Sequence, residues 1–416
     1  MSGPQTFSQE FRRYQIGQSV SSLGSACTAF ILPLLAFDQH GSPVDLGVAA
    51  VVTYLPYPLF GLHIGVLADR INRRALLLGA DLGRAAVLAV VPVLHALGSL
   101  TLPALLVVIF AHGALRLLFE ATQLAVIPAL VQDKKQFTRA NGQSQAAYNA
   151  AAALGPVLAG GLLTVVAPVS VVWVDVGSFL LSASSILTIR SRLSAPRKPR
   201  RSFGIEIREG LGLVFGTAIL RNVTIAAVIV NLATGPYWAQ SIYLAKSHMH
   251  ASDTGVGVMF AASGLGVVVA GLLAGRLADR FSMQSLLIAG VATLGAAIAA
   301  YAITRSVPLA VVLAGTARAG AVTFGVQTNS VRQRIVPPEA LGRVVTVALV
   351  FAWTAQPLGA AIGTGLISLT GNAPAVVGGG GLLALAVGAR WALVGPWAAK
   401  TEEDSRAQIQ QRLEVG

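Results

Sequence analysis

Arg116 and Glu120 stand four residues apart within a long apolar run. At that spacing two side chains share one face of a helix and can pair. An Arg in the middle of a membrane helix costs about 2.5–3.5 kcal/mol on insertion scales, so it faces a cavity or a partner. Burial favours the neutral acid while a neighbouring guanidinium favours the carboxylate, and a group balanced between them can exchange a proton. Glu120, with Arg116 beside it, is therefore the first candidate for proton coupling; a static ion pair is the plainer alternative. Asp175 is the competing carboxylate, free either to titrate or to bond neighbouring helices. Asp81 and Arg84 lie one turn apart near the cytoplasmic end of a third run and extend the charge network of the adjoining turn at 65–74. Arg318 has no acidic neighbour on its own helix, which leaves it for an anionic substrate, a carboxylate from elsewhere, or backbone carbonyls. No nucleophile–base arrangement and no Walker motif is present, so neither an enzyme nor direct use of ATP is expected. Cys27 is the sole cysteine and rules out a disulfide framework within one chain. His248 and His250 alone are too few to hold a metal, and no cofactor is expected.

The elements that must position these residues are membrane helices. Hydrophobic residues make up 54% of the 416 and charged ones 11%, against about 25% charged in soluble proteins. A helix needs roughly 20 mostly apolar residues to cross a bilayer. Twelve runs qualify: 14–37, 45–68, 75–97, 102–126, 142–166, 169–189, 222–245, 254–276, 284–304, 306–329, 341–369 and 374–396.

The net charge of +13 suggests nucleic acid at first sight, and its distribution argues against that. With the N-terminus in the cytoplasm, only Lys246 and Arg305 fall in external loops, while the cytoplasmic side is crowded with Lys and Arg. That asymmetry is the positive-inside pattern and places both termini in the cytoplasm. The basic face meets acidic lipid headgroups, and no nucleic-acid partner is expected.

The chain also repeats itself. Gly65-Val-Leu-Ala-Asp69-Arg70-Ile-Asn72-Arg73-Arg74 is echoed by Gly275-Arg-Leu-Ala-Asp279-Arg280. Arg116 pairs with Arg318 and Pro156 with Pro357, each pair separated by roughly 200 residues, as an old duplication leaves them. The longest polar stretch, from Arg190 to Arg208, divides the runs six and six. The expected organisation is an N-terminal six-helix bundle over 1–190, a cytoplasmic linker over 191–216, a C-terminal bundle over 217–400 and a tail over 401–416. A short amphipathic piece near Ile205–Phe215 is expected to lie on the membrane surface.

Gly-x-Leu-Ala-Asp-Arg-x-x-Arg-Arg resembles the loop signature between spans 2 and 3 of the major facilitator superfamily. Gly155-Pro156-Val-Leu-Ala-Gly160-Gly161, with Gly142 upstream, resembles the antiporter motif of its drug-efflux members. Trp173-Val-Asp175-Val-Gly-Ser178-Phe179, Arg208-Glu-Gly-Leu and Pro337-Pro-Glu-Ala-Leu-Gly-Arg343-Val are similar to the macrolide-efflux and siderophore-export branch. The resemblance implies an all-α integral membrane fold of twelve helices in two pseudo-symmetric bundles. One departure is that Phe119-Glu120 stands where the family's span 4 motif often has Gln and Gly.

Several roles follow from that resemblance. Gly65, Asp69, Arg70, Arg73 and Arg74 would form a cytoplasmic latch on the start of span 11, with Asp279 and Arg280 its weaker counterpart at span 5. Asn72 stands at the family's usual glycine position, where Asn tolerates left-handed backbone. Spans 1, 4, 7 and 10 would line the cavity, offering Gln18, Ser22, Ser25, Asn231, Tyr237, Trp238, Arg318 and Gln327 to a substrate. Polar and aromatic groups in an apolar cavity suit an amphiphilic organic molecule. The implied function is export of such a compound across the cell membrane by proton antiport and alternating access, carried out by a monomer. A uniporter of a lipid or metabolite, or a non-transporting sensor on the same fold, stays open as an alternative.

Overall fold

The computed structural model describes residues 7–57, 59–61, 64, 71–123, 126–131, 134–189, 193, 203–395, 406, 409 and 410. Among them the regular structure is helical, and twelve long elements follow the sequence runs. They are α1 (Gln9–His40), α2 (Pro43–Tyr54, its apolar span reaching Gly61), α3 (Arg73–Ala96), α4 (Leu102–Gln123), α5 (Lys134–Leu162) and α6 (Pro168–Leu187). After the linker helix Phe203–Gly216 come α7 (Ala218–Tyr243), α8 (Asp253–Arg280), α9 (Met283–Ile303), α10 (Val307–Ile335), α11 (Pro338–Thr370) and α12 (Ala373–Val394). Among the described residues, eleven helices are long and apolar enough to cross a membrane. The exception is α5, whose 29 residues begin at Lys134, well before the expected start at 142. Its first three turns are polar but helix-compatible, so backbone hydrogen bonding carries the helix past the apolar boundary.

The repeat is visible at helix starts. Asn72 caps α3 by accepting from the Arg74 amide at 2.9 Å, and Ser282 caps α9 by accepting from the Ser285 amide at 3.1 Å. The φ of Asn72 is −58°, so the left-handed backbone expected there is not adopted. A short side-chain acceptor before a helix satisfies an otherwise unpaired N–H, and Asn serves that purpose here.

The chain clusters into two compact units, one of residues 1–198 and 251–264, the other of 199–250 and 265–416. In the first, α1 lies against α5 and α6, and α3 against α4 and α6. In the second, α7 lies against α11 and α12, and α9 against α10 and α12. The same neighbour pairs thus recur in each unit, as a duplicated bundle requires. Small residues permit the contacts: a Cβ on Gly24 of α1 would overlap Ser178 of α6, and one on Gly155 of α5 would overlap Ala26 of α1. Without a hydrophobic drive between helices in lipid, such close backbone approach is a main source of association.

The linker helix belongs to the second unit. Leu213 and Val214 are buried, the Phe215 ring meets Phe351 edge-on at 5.6 Å, and Glu209 pairs with Arg343 at the start of α11. Part of the apolar face expected to meet the membrane surface is therefore taken up by protein.

Candidate functional site

Arg116 and Glu120 meet as their spacing predicts. The Arg116 Nε donates to Glu120 Oε1 at 2.7 Å. The second carboxylate oxygen accepts from the Tyr57 hydroxyl at 2.9 Å, which brings α2's span onto α4. Side-chain exposure is 38% for Arg116 and 34% for Glu120, so the pair is satisfied but still reachable. Tyr57 escaped the sequence reading because nothing in span 2 marks it; only the packing of α2 on α4 brings the phenol to the carboxylate. His112 precedes Arg116 by one turn, a spacing visible in the sequence; its ring sits 6.0 Å from that of Phe179.

A second cluster lies sealed in the same unit. Asp81 and Arg84 on α3 form an ion pair that is 0% and 5% exposed. The Ser182 hydroxyl on α6 donates to Asp81 at 2.6 Å, and Gln18 on α1 donates to Ser182 at 2.9 Å. The Arg84 guanidinium lies between two aromatic faces, 4.3 Å from the Phe119 centroid and 4.1 Å from that of Phe179. Asp81 and Arg84 therefore tie α3 to α4 and α6 inside the bundle. The expected link from this pair to the turn at 65–74 falls largely on residues 65–70, which lie outside the described residues.

Asp175 lies two helical turns before Ser182 on α6 and is fully buried. Its Oδ1 accepts from Ser178 at 2.8 Å and from Ser25 at 3.5 Å. Its Oδ2 has no partner within 3.5 Å among the described residues, and the Thr28 hydroxyl, itself without one at that distance, is the nearby polar group that acts on Asp175. Ser178 and Ser182 stand three and seven residues after Asp175, a polar stripe legible in the sequence that the candidates above omitted.

The latch residues divide. Gly65, Asp69 and Arg70 lie outside the described residues. The Arg73 guanidinium donates to the Leu193 carbonyl at 3.1 Å, and Arg74 donates to the Leu187 carbonyl at the end of α6. Cations there complement the negative end of the helix dipole. Asp279 and Arg280 are exposed at the end of α8. In the antiporter motif, Pro156 lies within α5, and a Cβ on Gly160 would come within 3.0 Å of Gly257 Cα. Gly142 and Gly161 have nothing that close.

The cavity candidates turn largely toward neighbouring helices. Gln18 and Ser25 bond α6, as above, and Ser22 is half-buried on α1. In the second unit Asn231 donates to its own helix at Ala227 O, 2.8 Å. Tyr237 is 2% exposed and packs edge-on against Trp238 and Tyr301, at 4.9 and 5.1 Å. Gln327 is buried. Arg318 lies over the Trp238 ring at 5.2 Å, a cation–π contact that the sequence reading did not anticipate.

Residues 5–414 match the model of a family described as transmembrane secretion effector. The chain is 27% identical over 350 residues to the multidrug efflux pump Tap of Mycolicibacterium fortuitum, covering 81% of this chain and 84% of that one. It is 23% identical over 348 residues to macrolide efflux protein A of Streptococcus pyogenes, covering 82% and 85%. Among solved structures it resembles the nucleoside transporter NupG, with a TM-score of 0.77 at 8% identity over 92% of this chain and 99% of that one. It also resembles a bacterial homologue of the iron transporter ferroportin, with a TM-score of 0.70 at 17% identity over 95% and 100%. Likeness at such identities concerns the fold alone.

Proposed function

This chain belongs to the transmembrane secretion effector family, within the major facilitator superfamily, and from that premise we propose that it exports a small amphiphilic organic compound in exchange for protons. It is a multi-pass membrane transporter and not an enzyme. In the proposed cycle the two bundles alternate access to a central site. The protein works as a monomer in the cytoplasmic membrane, surrounded by lipid, with both termini in the cytoplasm.

The observation that carries the coupling is the Arg116–Glu120–Tyr57 group. A carboxylate held by one guanidinium and one phenol is stable while ionised, yet a third of its side chain stays accessible. A proton arriving at Glu120 removes the attraction of Arg116 and frees both groups. Substrate arriving there competes for the same partners. One proton moving inward supplies about 2.3 kcal/mol per 100 mV, enough for modest uphill export. Efflux activity in the names of two relatives supports the direction. The antiporter-like packing of α5 supports a path sealed against ion leak.

Everted vesicles test the reading. Adding an exported drug to energised vesicles should release protons, and Glu120→Gln should abolish that release. Full proton-driven transport in Glu120→Gln would refute the assignment of Glu120. Transport indifferent to the gradient in the wild-type protein would refute antiport itself.

A further inference from the structure

Among the described residues, the first unit holds five charged groups along its membrane helices that concern this cluster, and they do not balance. Arg116 is matched by Glu120 and Arg84 by Asp81. Asp175 is left over. It is fully buried, the groups that hydrogen-bond it among the described residues are hydroxyls (Ser178 and Ser25, with Thr28 beside them), and no cation is bonded to it. The titratable groups that act on it from the helices packed against α6 are Cys27 on α1 and Arg84 on α3. The Cys27 thiol donates instead to the Gly155 carbonyl at 3.2 Å, and Arg84 bonds Asp81 and not Asp175, although its buried Nε has no partner among the described residues.

A lone carboxylate in such a place takes a proton in preference to carrying an unpaired charge. We propose that Asp175 is a proton-binding site separate from Glu120, occupied in this arrangement and closed off by the contact between α1 and α6. A proton on Oδ2 makes that oxygen a donor the Thr28 hydroxyl can accept, and it removes the unpaired buried charge, which donation by the hydroxyl alone would leave in place. Oδ1 remains the acceptor for Ser178 and Ser25.

The surroundings explain why the proton stays. Gly24 closes α1 onto Asp175 and Ser178 so tightly that a Cβ there would overlap both side chains. A groove of about 660 Å³ runs alongside between α1, α5 and α6, with Gly24, Cys27 and Ser178 on its wall and Leu158, Leu181 and Trp173 among its apolar lining. Polar groups line little of it, so it offers a file of water no footing. The proton leaves when α1 and α6 part at Gly24. This site stands whether or not Glu120 exchanges protons.

Infrared spectroscopy of the full-length protein in liposomes at neutral pH tests the site without a substrate. Wild type and Glu120→Gln should both show the carbonyl stretch of a neutral carboxylic acid, and Asp175→Asn should lack it. Ser178→Ala should keep the stretch but shift its frequency, since one hydrogen bond to Oδ1 is lost. In D2O the band should move over minutes or longer, as a sealed acid would. Asn resembles the neutral acid in size and charge, so Asp175→Asn should unfold at the wild-type temperature. The proposal is overturned if wild type has no such stretch, if the stretch survives in Asp175→Asn, or if it shifts at once in D2O.

Discussion

Replacing Arg84 by Met separates the worth of the sealed ion pair from that of simple filling. Arg84→Met keeps much of the side-chain volume and removes the charge that Asp81 faces. Breaking a buried pair from one side costs about 3–5 kcal/mol, because the remaining charge is uncompensated. Two desolvated cation–π contacts, to Phe119 and Phe179, are lost with it, each worth up to about 2 kcal/mol. Met recovers part of that loss through its own sulfur–aromatic contacts. The net expectation is a loss of about 3–5 kcal/mol for the single variant. The double variant Asp81→Leu/Arg84→Met removes both charges together and should regain most of the loss, since an apolar pair in place of a buried ion pair is often neutral or stabilising. Cys27 makes the assay direct. It is the sole cysteine and 1% exposed, so a thiol-reactive fluorophore reports unfolding from one known position in the first unit. Heating should expose Cys27 earliest in Arg84→Met and near the wild-type temperature in the double variant. A double variant no more stable than Arg84→Met would refute the reasoning, because the loss would then come from packing or from the Ser182 bond.

Two further outcomes follow from other contacts. Tyr57→Phe removes the 2.9 Å bond to Glu120, and a hydrogen bond to a charged group is worth about 1.5–3 kcal/mol; proton-driven efflux should weaken roughly tenfold without vanishing, as read from drug accumulation in cells expressing each variant. Gly210→Val puts side-chain atoms where a Cβ alone would lie 2.8 Å from Val347 Cγ2 and 2.9 Å from the Arg343 carbonyl, so the linker helix should be displaced. Proteolysis between residues 190 and 216 should then become faster, whereas Gly212→Val, at a position with open space, should leave the cleavage rate unchanged.

What the sequence revealed and what it hid divide along a physical line. The helices were legible because length and hydropathy are properties of a segment alone, and a bilayer imposes both. Arg116 and Glu120 were legible for the same reason, since four residues on a helix fix their meeting wherever that helix lies. Tyr57 was not, because its bond to Glu120 depends on how α2 meets α4. The partners of Asp81 were hidden likewise: Ser182 is separated from it by 101 residues. Asn72 was misjudged because the family's glycine suggested a backbone shape, whereas a side chain able to cap a helix start meets the same need by another route. The early start of α5 was missed because hydropathy marks where lipid begins, not where a helix does.

The two carboxyl groups of the first unit's interior that lie outside the sealed ion pair differ in the property that decides what a proton can do there. Glu120 has a cation, a phenol and a third of its side chain exposed. Asp175 has hydroxyls only and no exposure, so its proton moves only when helices do. In the proposed cycle, exchange at the first would be governed by access and at the second by conformation. A transporter that alternates access needs both kinds of dependence, because a group that always equilibrates cannot report which way the protein faces. The Asp81–Arg84 pair stands next to Asp175 without neutralising it, since Arg84 is already committed to Asp81 and fixed between two phenyl rings. Freeing Arg84 with Asp81→Asn should therefore let it turn to Asp175 and expel the proton there. That outcome would be seen as loss of the neutral-acid stretch in Asp81→Asn only if Asp81 itself had carried the proton or had released Arg84 to ionise Asp175. Adding Arg84→Met to Asp81→Asn separates the two causes: the stretch returns if Asp175 is the acid and stays absent if Asp81 was.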